Sequence, residues 1–319
     1  ASGGVYLATF PSYYGAMIIW GFFGLSTVLL FWAALIKATR SWGGVSKQGL
    51  AYGVLDGGRG LLAAVLASLG VLLFSLAFPD GYDAASVMDK RAALQQIIWG
   101  YTAVTALIGV MVWFTLRGLP ETTASAHSPL FGHFWEVMRI PAVWLQTIVL
   151  VCAYTSYKAF DQYALFAVRG HGIDEIEAAQ IVTLGAWTRP LAALILGLMA
   201  DRFGVSRMTL VCFGILMISH SLFAFTGQAM GSFSFILANT VVTGIAIFGL
   251  RGLYFALFEE GRIPLAMTGT AIGVVSVIGY TPDIYVAAIA GYLIDNNPGL
   301  LGFQKMFMCL LGTALIGAA

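Results

Sequence analysis

The chain has 319 residues, of which 59% are hydrophobic and 10% are charged, and its mean hydropathy is +0.87. Soluble domains are far more polar, so these values exclude an ordinary soluble protein and predict a membrane protein. The net charge of +1 and the absence of a basic tract exclude a nucleic-acid-binding protein, which needs a positive surface to hold phosphates. The cysteines Cys152, Cys212 and Cys309 lie in apolar stretches and predict neither a disulfide framework nor a metal site.

Nine apolar segments of the chain are each long enough to cross a bilayer as a helix, which takes about 20 residues. Polar connectors separate them, and the longest connector follows the third segment. In chain order the segments are 13–37, 48–78, 95–117, 141–168, 176–200, 206–226, 231–258, 265–294 and 302–319. We therefore predict an all-α fold, a polytopic membrane helix bundle with about nine transmembrane helices in this sequence.

The basic residues of the connectors are unevenly divided between the two sides of the predicted bilayer. One side carries Lys37, Arg40, Lys47, Arg117, Arg139, Arg202, Arg207 and Arg262, and the other carries Lys90, Arg91, Arg169 and Lys305. Positively charged loops stay in the cytoplasm, so the first set predicts the cytoplasmic face. Glu259 and Glu260 end an apolar segment on that face and are predicted to be solvated loop charges.

A short glycine pattern recurs in two of the apolar segments. Gly49-xxx-Gly53 in the second segment returns as Gly269-xxx-Gly273 in the eighth. The same offset, applied to the segment that begins near 141, places its counterpart before the first residue, which is Ala and not Met. We therefore expect a twelve-helix protein from which about three N-terminal helices are missing. Helix packing alone also produces small-xxx-small patterns, and that simpler interpretation stays open.

A charged motif follows the fifth apolar segment. It reads Gly197-Leu-Met-Ala-Asp201-Arg202-Phe-Gly204-Val-Ser-Arg207 and crosses a tight turn into the sixth segment. The first glycine lets helices approach, the aspartate can bind a basic group or a helix N-terminus, and the arginines hold the turn in the cytoplasm. The motif resembles the signature loop of the major facilitator superfamily, where it acts as a gating interlock. The simpler alternative is an ordinary turn with a cluster of basic residues.

The resemblance to the major facilitator superfamily covers essentially the whole chain and implies a fold of two six-helix halves. Residues 1–118 would be the later part of the N-terminal half, 119–140 the central cytoplasmic linker and 141–319 the C-terminal half, so that the nine segments are helices 4 to 12. The resemblance also implies a secondary active transporter that works as a monomer by alternating access in the bacterial inner membrane. No cofactor is implied, and the site lies near the bilayer midplane.

Within that superfamily, the region around the first connector is similar to the organophosphate and organic-anion branch, which includes sugar phosphate permeases. The similarity rests on Phe31 to Lys37, on Gln48-Gly49 and on Asp56 to Gly60. In that branch, polar or basic residues on helices five and seven contact phosphorylated solutes, and Arg59 and Lys158 match them here. The resemblance implies an anionic solute, such as a sugar phosphate or an organic acid, coupled to protons or to a counter-transported anion.

Charged residues inside apolar segments are costly in a bilayer and often mark a solute pathway. Arg59 lies about eleven residues inside its segment, which is roughly mid-bilayer for a helix. Arg189 is near the middle of its segment, directly before Pro190, which predicts a kink. Three sets of residues with helical spacing each share one face: Tyr52, Asp56 and Arg59; Tyr154, Lys158 and Asp161; Ser276, Tyr280 and Asp283.

These residues predict a solute-binding site. Its members are Arg59, Asp56, Lys158, Asp161, Arg189, Tyr154, Tyr280 and Asp283. The basic members would contact an anion, and the acidic members would pair with them when the site is empty. Arg251 lies about two turns from a cytoplasmic helix end, from which its guanidinium can extend to water. With Arg251 included, the spans hold four cations and three acids, and this excess favours an anionic solute.

Other interpretations of the same charges stay open. The ion pairs can be permanent and never meet a solute, or the carboxylates can titrate and carry protons for a symporter of a neutral sugar, a drug-like solute or a zwitterion. A non-transporting sensor can use the same fold. An enzyme is disfavoured, because the chain has no Gly-x-Ser-x-Gly or His-Glu-xx-His motif and no second metal ligand beside His220.

Overall fold

The structure, a computed structural model, describes residues 2–76, 86–116, 134–225, 227 and 231–319. Regular structure in these ranges is entirely helical, as predicted. The α-helices are α1 (Ser2–Leu7), α2 (Tyr13–Gly24), α3 (Ala33–Gly43), α4 (Gln48–Leu76), α5 (Val87–Leu116), α6 (Phe134–Met138), α7 (Pro141–Ala159), α8 (Tyr163–Leu165), α9 (Glu175–Phe203), α10 (Val205–Phe225), α11 (Phe233–Leu253), α12 (Leu257–Glu260), α13 (Thr268–Gly279), α14 (Pro282–Asp295) and α15 (Leu300–Ala318). Turns of π-helix occur at Leu25–Trp32 and Phe166–Gly170, and 3-10 turns at Phe160–Gln162 and Leu265–Met267.

Six helical stretches in the described part of the chain are long and apolar enough to cross a membrane. They are Val87–Phe114, Gln180–Phe203, Val205–Phe225, Phe233–Leu253, Leu265–Asp295 and Leu300–Ala318. The other predicted spans, 13–37, 48–78 and 141–168, are helical where they are described but are not among these six. A π-helical turn interrupts the first of them, and a 3-10 turn interrupts the last. The polytopic class is confirmed, whereas the count of nine stays a prediction.

The chain divides into two compact units. The first unit comprises Ala1–Trp32 and Leu62–Ser128, and the second comprises Ala33–Leu61 and Pro129–Ala319. Helix α4 therefore contributes its beginning to the second unit and its end to the first. The predicted central linker, 119–140, lies mostly outside the described residues, and the domain boundaries at its ends stay predictions.

In the first unit, α1 packs closely on α5. A Cβ atom at Gly4 would collide with the hydroxyl group of Thr102, so the contact requires a residue without a side chain. Gln95 Nε2 donates a hydrogen bond to the carbonyl oxygen of Ala8 at 2.8 Å. This bond satisfies a carbonyl group just beyond the end of α1, where the helix provides no partner.

An aromatic cluster forms part of the core of the second unit. Tyr163, Phe166, Phe223 and Phe307 are each at most 1% exposed. Their ring centroids lie 4.8 to 5.7 Å apart, in the range that aromatic pairs prefer. The rings come from α8, the π-helical turn after it, α10 and α15, so the cluster fixes the irregular chain that follows α7.

Helices α4 and α9 cross at a stripe of small residues in the second unit. A Cβ atom at Gly49 would collide with the carbonyl oxygen of Gly197, and one at Gly53 would lie 2.5 Å from the carbonyl oxygen of Ala193. Backbones approach this closely only where side chains are absent. At the recurring glycine pattern, 269–273, no atom of the described residues lies within 4 Å of such a Cβ, apart from the nearby backbone of the same helix. Among the described residues, the recurrence in sequence is therefore not a recurrence of packing.

Two helix interruptions carry predicted site residues. Helix α7 ends one residue after Lys158, and the 3-10 turn that follows contains Asp161. The eighth predicted span breaks between α13 and α14 at Tyr280, because Pro282 lacks an amide hydrogen and suits the first position of a new helix. Asp283 consequently lies in the first turn of α14, where the helix dipole favours a carboxylate.

Candidate functional site

Three charged residues meet inside the second unit, and we call them the cationic cluster: Asp56 of α4, Arg189 of α9 and Arg251 of α11. Arg189 donates two hydrogen bonds to Asp56, from Nη2 to Oδ1 at 2.9 Å and from Nε to Oδ2 at 3.2 Å. Arg251 Nε lies 3.6 Å from the same Oδ1 atom. The side chains of Asp56, Arg189 and Arg251 are 6%, 17% and 9% exposed. Two guanidinium groups and one carboxylate leave a positive charge that is largely shielded from water.

Glycines of α4 allow this cluster to form. A Cβ atom at Gly57 would lie 3.0 Å from the carbonyl oxygen of Pro190, and one at Gly60 would lie 2.8 Å from Cδ of Arg189. The small-residue stripe thus continues beside Asp56 and lets the arginine lie flat against α4. Helix α9 runs through Pro190 without an interruption of its helical assignment, so the predicted kink does not break the helix.

Sequence reasoning did not include Arg251 in the site. The chain continues in helical turns beyond it, and its guanidinium does not extend to water: Cζ lies 4.0 Å from the ring centroid of Tyr157 and 5.8 Å from that of Tyr154. Its Nε and Nη1 atoms are buried and donate no hydrogen bond to the described residues. Seven uncharged residues separate Arg251 from Glu259 in the sequence. This distance of two helical turns could have indicated that Arg251 lies inside the span and not at its end.

A second group, which we call the acidic cluster, consists of Lys158, Asp161 and Asp283. Lys158 Nζ lies 3.1 Å from Asp161 Oδ2 and 3.3 Å from Asp283 Oδ1. Tyr154 donates a hydrogen bond to Asp283 Oδ2 at 3.0 Å. The side chains are more exposed than those of the cationic cluster, at 27% for Lys158, 63% for Asp161 and 48% for Asp283. One ammonium group against two carboxylates leaves a net negative charge.

Tyrosine rings connect the two clusters. The Tyr154 ring centroid lies 4.8 Å from that of Tyr280 and 5.3 Å from that of Tyr157. Tyr154 also contacts both clusters, because its hydroxyl group binds Asp283 and its ring faces Arg251. All the predicted site residues except Arg59 therefore belong to the two clusters or to the tyrosines between them.

Arg59 lies on a different side of α4 from the cationic cluster. Its side chain is exposed, whereas Asp56, one turn earlier, is buried. Helical residues three positions apart are offset by about 60°, so a helix at the edge of a packed unit can bury one and expose the other. Contact of Arg59 with a solute stays a prediction.

Chemically, the two clusters suit recognition of a charged solute. Guanidinium and ammonium groups bind oxyanions through charge-assisted hydrogen bonds, and guanidinium adds a planar fork. The described residues contain no group of three or more His, Cys, Asp or Glu side chains that could hold a metal ion.

The charged motif joins α4 and α9 at the end of the second unit that is predicted to face the cytoplasm. Asp201 Oδ1 accepts a hydrogen bond from the backbone N–H of Gly49 at 2.7 Å, and Oδ2 accepts one from Leu50 at 2.8 Å. These N–H groups belong to the first turn of α4 and have no partner within the helix. A carboxylate from α9 therefore caps α4, and the dipole of α4 favours it.

The other motif residues form the turn itself. Gly197 packs against Gly49 one turn before the aspartate. Gly204 has a φ angle of +96°, which glycine adopts without strain, and it connects α9 to α10. Arg202 and Arg207 are exposed.

Arg40, Glu259 and Glu260 were predicted from sequence to be loop charges, and all three form further contacts at this end. For Arg40 the prediction was wrong, because Arg40 belongs to the last turn of α3. Arg40 is only 4% exposed. It donates hydrogen bonds to Glu259 Oε2 at 2.9 Å and to Thr268 Oγ1 at 2.5 Å. Glu260 accepts hydrogen bonds from the first two backbone N–H groups of α10 at 2.6 and 2.9 Å. Glu259 and Glu260 therefore bind residues of neighbouring helices. The spacing of residues in the sequence does not reveal such contacts.

The chain is similar to several bacterial membrane proteins. It is 24% identical over 329 residues to the inner membrane protein YihN of Escherichia coli, with 99% of this chain and 74% of that protein covered. It is 26% identical over 324 residues to the inner membrane protein YqcE of the same organism, with 98% and 73% covered. It is 24% identical over 303 residues to the nitrate/nitrite transporter NarU of Salmonella typhimurium, with 85% and 64% covered.

No protein-family model matches the chain. Among solved structures, a bacterial homologue of the iron transporter ferroportin in an outward-facing state aligns with 99% of this chain and 94% of its own, at a TM-score of 0.48 and 13% identity. The solute of that protein has no bearing here at so low a similarity. The two inner membrane relatives and the membrane-crossing helices establish that the chain is an integral inner membrane protein, as predicted.

Proposed function

We propose that the chain is a secondary active transporter for a small anionic solute. The observation that carries this proposal is the cationic cluster, in which two arginines and one aspartate are held among apolar helices with a net positive charge. Such a charge is costly in a membrane protein and is retained where it lines a solute pathway. Similarity to a transporter named for two small anions, nitrate and nitrite, supports the same class over an enzyme.

For the fold, we propose the major facilitator type, with the nine predicted segments as helices 4 to 12 of twelve. The geometry of the charged motif supports this assignment. Its glycine lies at a helix crossing and its aspartate caps a neighbouring helix, which is the arrangement that a gating interlock requires. The proposed boundaries are those predicted from sequence, with a central linker at 119–140, and the proposed working form is a monomer.

For the solute, we propose an oxyanion such as an organic acid or a sugar phosphate. Arg189 would contact it, because a guanidinium group that binds a carboxylate through two hydrogen bonds can bind a solute carboxylate or phosphate in the same way. Lys158 and Arg59 are the further proposed contacts. Coupling would use protons or a counter-transported anion.

A proton-coupled symporter of a neutral or zwitterionic solute is the second candidate. The observation that favours it is the acidic cluster, whose net negative charge balances the positive charge of the cationic cluster. Asp161 and Asp283 are about half exposed, so protons can reach them. In this candidate the arginines would be permanent partners of Asp56, and the carboxylates of the acidic cluster would carry the coupled protons.

Ligand-dependent thermal stability of the purified protein in detergent distinguishes the candidates. A ligand that binds only the folded state raises the melting temperature. We expect stabilisation by one class of anion among organic acids, inorganic oxyanions, sulfonates and phosphorylated sugars, and its loss in Arg189→Gln. The matched control is Arg139→Gln, which removes a charge from an exposed residue outside both clusters.

Each outcome of this screen decides between the candidates. Stabilisation by an anion in the parent and in Arg139→Gln, but not in Arg189→Gln, supports the anion transporter. Stabilisation by neutral sugars alone, unchanged in Arg189→Gln, contradicts it and supports the proton-coupled symporter. Stabilisation by neither class contradicts both.

A further inference from the structure

We propose that Arg251 contacts the solute directly, and that with Arg189 it forms a two-arginine site for a monovalent oxyanion that competes with the carboxylate of Asp56. This inference rests on the proposed anion transport and specifies both a residue and a solute charge for it. Arg251 is outside the site that the sequence predicted.

Arg251 has unused hydrogen-bonding capacity. Its side chain is 9% exposed, and its Nε and Nη1 atoms are buried without a hydrogen-bond acceptor among the described residues. Leaving a charged donor buried and unbonded costs far more than leaving a neutral one, because both its hydration and its partner are lost. An anion that enters the cluster would accept these hydrogen bonds and remove the penalty, which would contribute favourably to its binding free energy.

The guanidinium group of Arg251 is held against a tyrosine ring. Arg251 Cζ lies 4.0 Å from the ring centroid of Tyr157, within the distance of a cation–π contact. Such a contact holds the group in place without using its N–H donors. The donors are therefore oriented before a solute arrives, which lowers the entropic cost of binding.

Asp56 behaves as an anion that is tethered within the cationic cluster. One oxygen atom, Oδ1, lies 2.9 Å from Arg189 Nη2 and 3.6 Å from Arg251 Nε. A single carboxylate oxygen thus reaches both guanidinium groups, so another oxygen of similar size can bridge them. Asp56 forms hydrogen bonds with Arg189 but only a longer ionic contact with Arg251. Arg251 would therefore gain more hydrogen bonds than Arg189 from an added anion.

The charge balance sets the valence of the solute. Arg189 and Arg251 carry two positive charges, and Asp56 cancels one of them, so one negative charge neutralises the cluster. The acidic cluster, across the Tyr154 ring, adds net negative charge nearby and disfavours a second charge on the solute. The charge balance therefore points to a monovalent oxyanion group, such as a carboxylate or nitrate.

The test is a titration of the purified protein with sodium nitrate, sodium formate and sodium sulfate at constant ionic strength, read as dissociation constants from calorimetry. We expect nitrate or formate to bind and sulfate to bind far more weakly. Replacing Arg251 by Gln should raise the dissociation constant roughly 10- to 100-fold, the usual effect of removing a charge-assisted hydrogen bond. The control Arg139→Gln should change it by less than about twofold.

Changing Asp56 to Asn provides the sharper test, because a residue that merely supports the fold would not alter the preferred charge of the ligand. The variant leaves two uncompensated arginines, so we expect tighter nitrate binding and measurable sulfate binding. Adding Arg251→Gln to Asp56→Asn should abolish the sulfate binding. If Arg251→Gln does not fold, Arg251→Lys keeps the charge but loses the planar fork, and it should still weaken nitrate binding.

The failure of this inference is distinct from failure of the proposed function. If an anion binds the parent but its dissociation constant is unchanged in Arg251→Gln or Arg251→Lys, Arg251 is not a contact and anion transport stands. If sulfate binds the parent as tightly as nitrate, the proposed valence is wrong. If no anion, including the organic and phosphorylated ones, binds the parent or Asp56→Asn, both proposals are overturned.

Discussion

Asp56 provides the one carboxylate of the cationic cluster. Its carboxylate is 6% exposed and is the shared partner of Arg189 and Arg251. Removing one member of a buried pair costs more than the pair itself contributes, because the remaining charge stays buried without compensation. The ion pair of Asp56 and Arg189 therefore has a testable structural role besides its proposed role in binding.

We expect Arg189→Gln to lower the free energy of unfolding by about 2–4 kcal/mol, since Asp56 loses two hydrogen bonds and keeps only the longer contact with Arg251. The measurement is thermal or denaturant unfolding in detergent. The double variant Asp56→Asn with Arg189→Gln should recover part of this loss, because it removes the unpaired carboxylate. A loss in the double variant equal to the sum of the losses in Arg189→Gln and Asp56→Asn alone would show that the pair is not energetically coupled.

Residue by residue, the sequence was sufficient to find charges inside apolar segments but not to assign their partners. Asp56, Lys158, Asp161 and Asp283 were all found as charges with helical spacing inside apolar segments, and the family resemblance also indicated Lys158. Arg59 and Arg251 show the limit of this approach. Depth along a segment favoured Arg59, yet Arg59 is exposed and the side chain of Arg251 is only 9% exposed, because burial depends on which side of a helix meets its neighbours.

At the level of helices, the crossing of α4 and α9 depends on residues without side chains. The carbonyl oxygen of Ala193 occupies the space that a methyl group at Gly53 would need. At Gly273 that space is free of other described atoms within 4 Å. The two glycines are matched in sequence pattern and differ in packing, which makes them a natural pair of variants.

We expect Gly53→Ala to lower the melting temperature and Gly273→Ala to leave it unchanged or raise it. The first substitution forces two backbones apart, at a cost of roughly 1–3 kcal/mol for overpacking. The second reduces the freedom of the unfolded chain without a clash and gains about 0.5–1 kcal/mol in a helix. Comparable destabilisation by both variants would contradict the packing difference, and thermal unfolding of the two proteins measures it.

Helix ends were harder to predict than helix existence. The eighth span, predicted over 265–294, is among the six candidate membrane spans, but its helix is interrupted at Tyr280, between α13 and α14. A proline two residues later was visible in the sequence, but a proline also permits a continuous helix, as Pro190 in α9 shows. The packing of neighbouring helices decides whether the helix is interrupted or continuous at a proline. That packing cannot be read from a single sequence.

For the molecule as a whole, the proposed transport requires that binding and gating lie at different places. The second unit meets this condition. Its charged clusters are built from residues of α4, α9, α11, α14, the end of α7 and the 3-10 turn that follows α7. The contacts of Asp201, Arg40 and Glu260 join helix ends and connecting turns instead. The motif was recognisable from sequence, whereas the target of its aspartate was not, because α4 begins about 150 residues earlier in the chain.

We expect Asp201→Asn to slow solute exchange several-fold while changing the affinity for the solute by less than about twofold. Asparagine retains one acceptor for the N–H groups of Gly49 and Leu50 but loses the second bond and the charge that the α4 dipole favours, at a cost of about 1 kcal/mol. This cost falls on the state in which the interlock is closed, so the population of that state drops and the cycle that passes through it slows.

Exchange and binding must be measured on the same preparation to separate these effects, by counterflow in vesicles and by titration in detergent. The control is Asp295→Asn, which removes an exposed carboxylate at the far end of α14 and should change neither quantity. A large loss of affinity with a normal exchange rate would place Asp201 in the binding site and contradict the interlock. A slowed rate with intact affinity would place its effect on the conformational step, since a residue that only binds solute would alter the dissociation constant first.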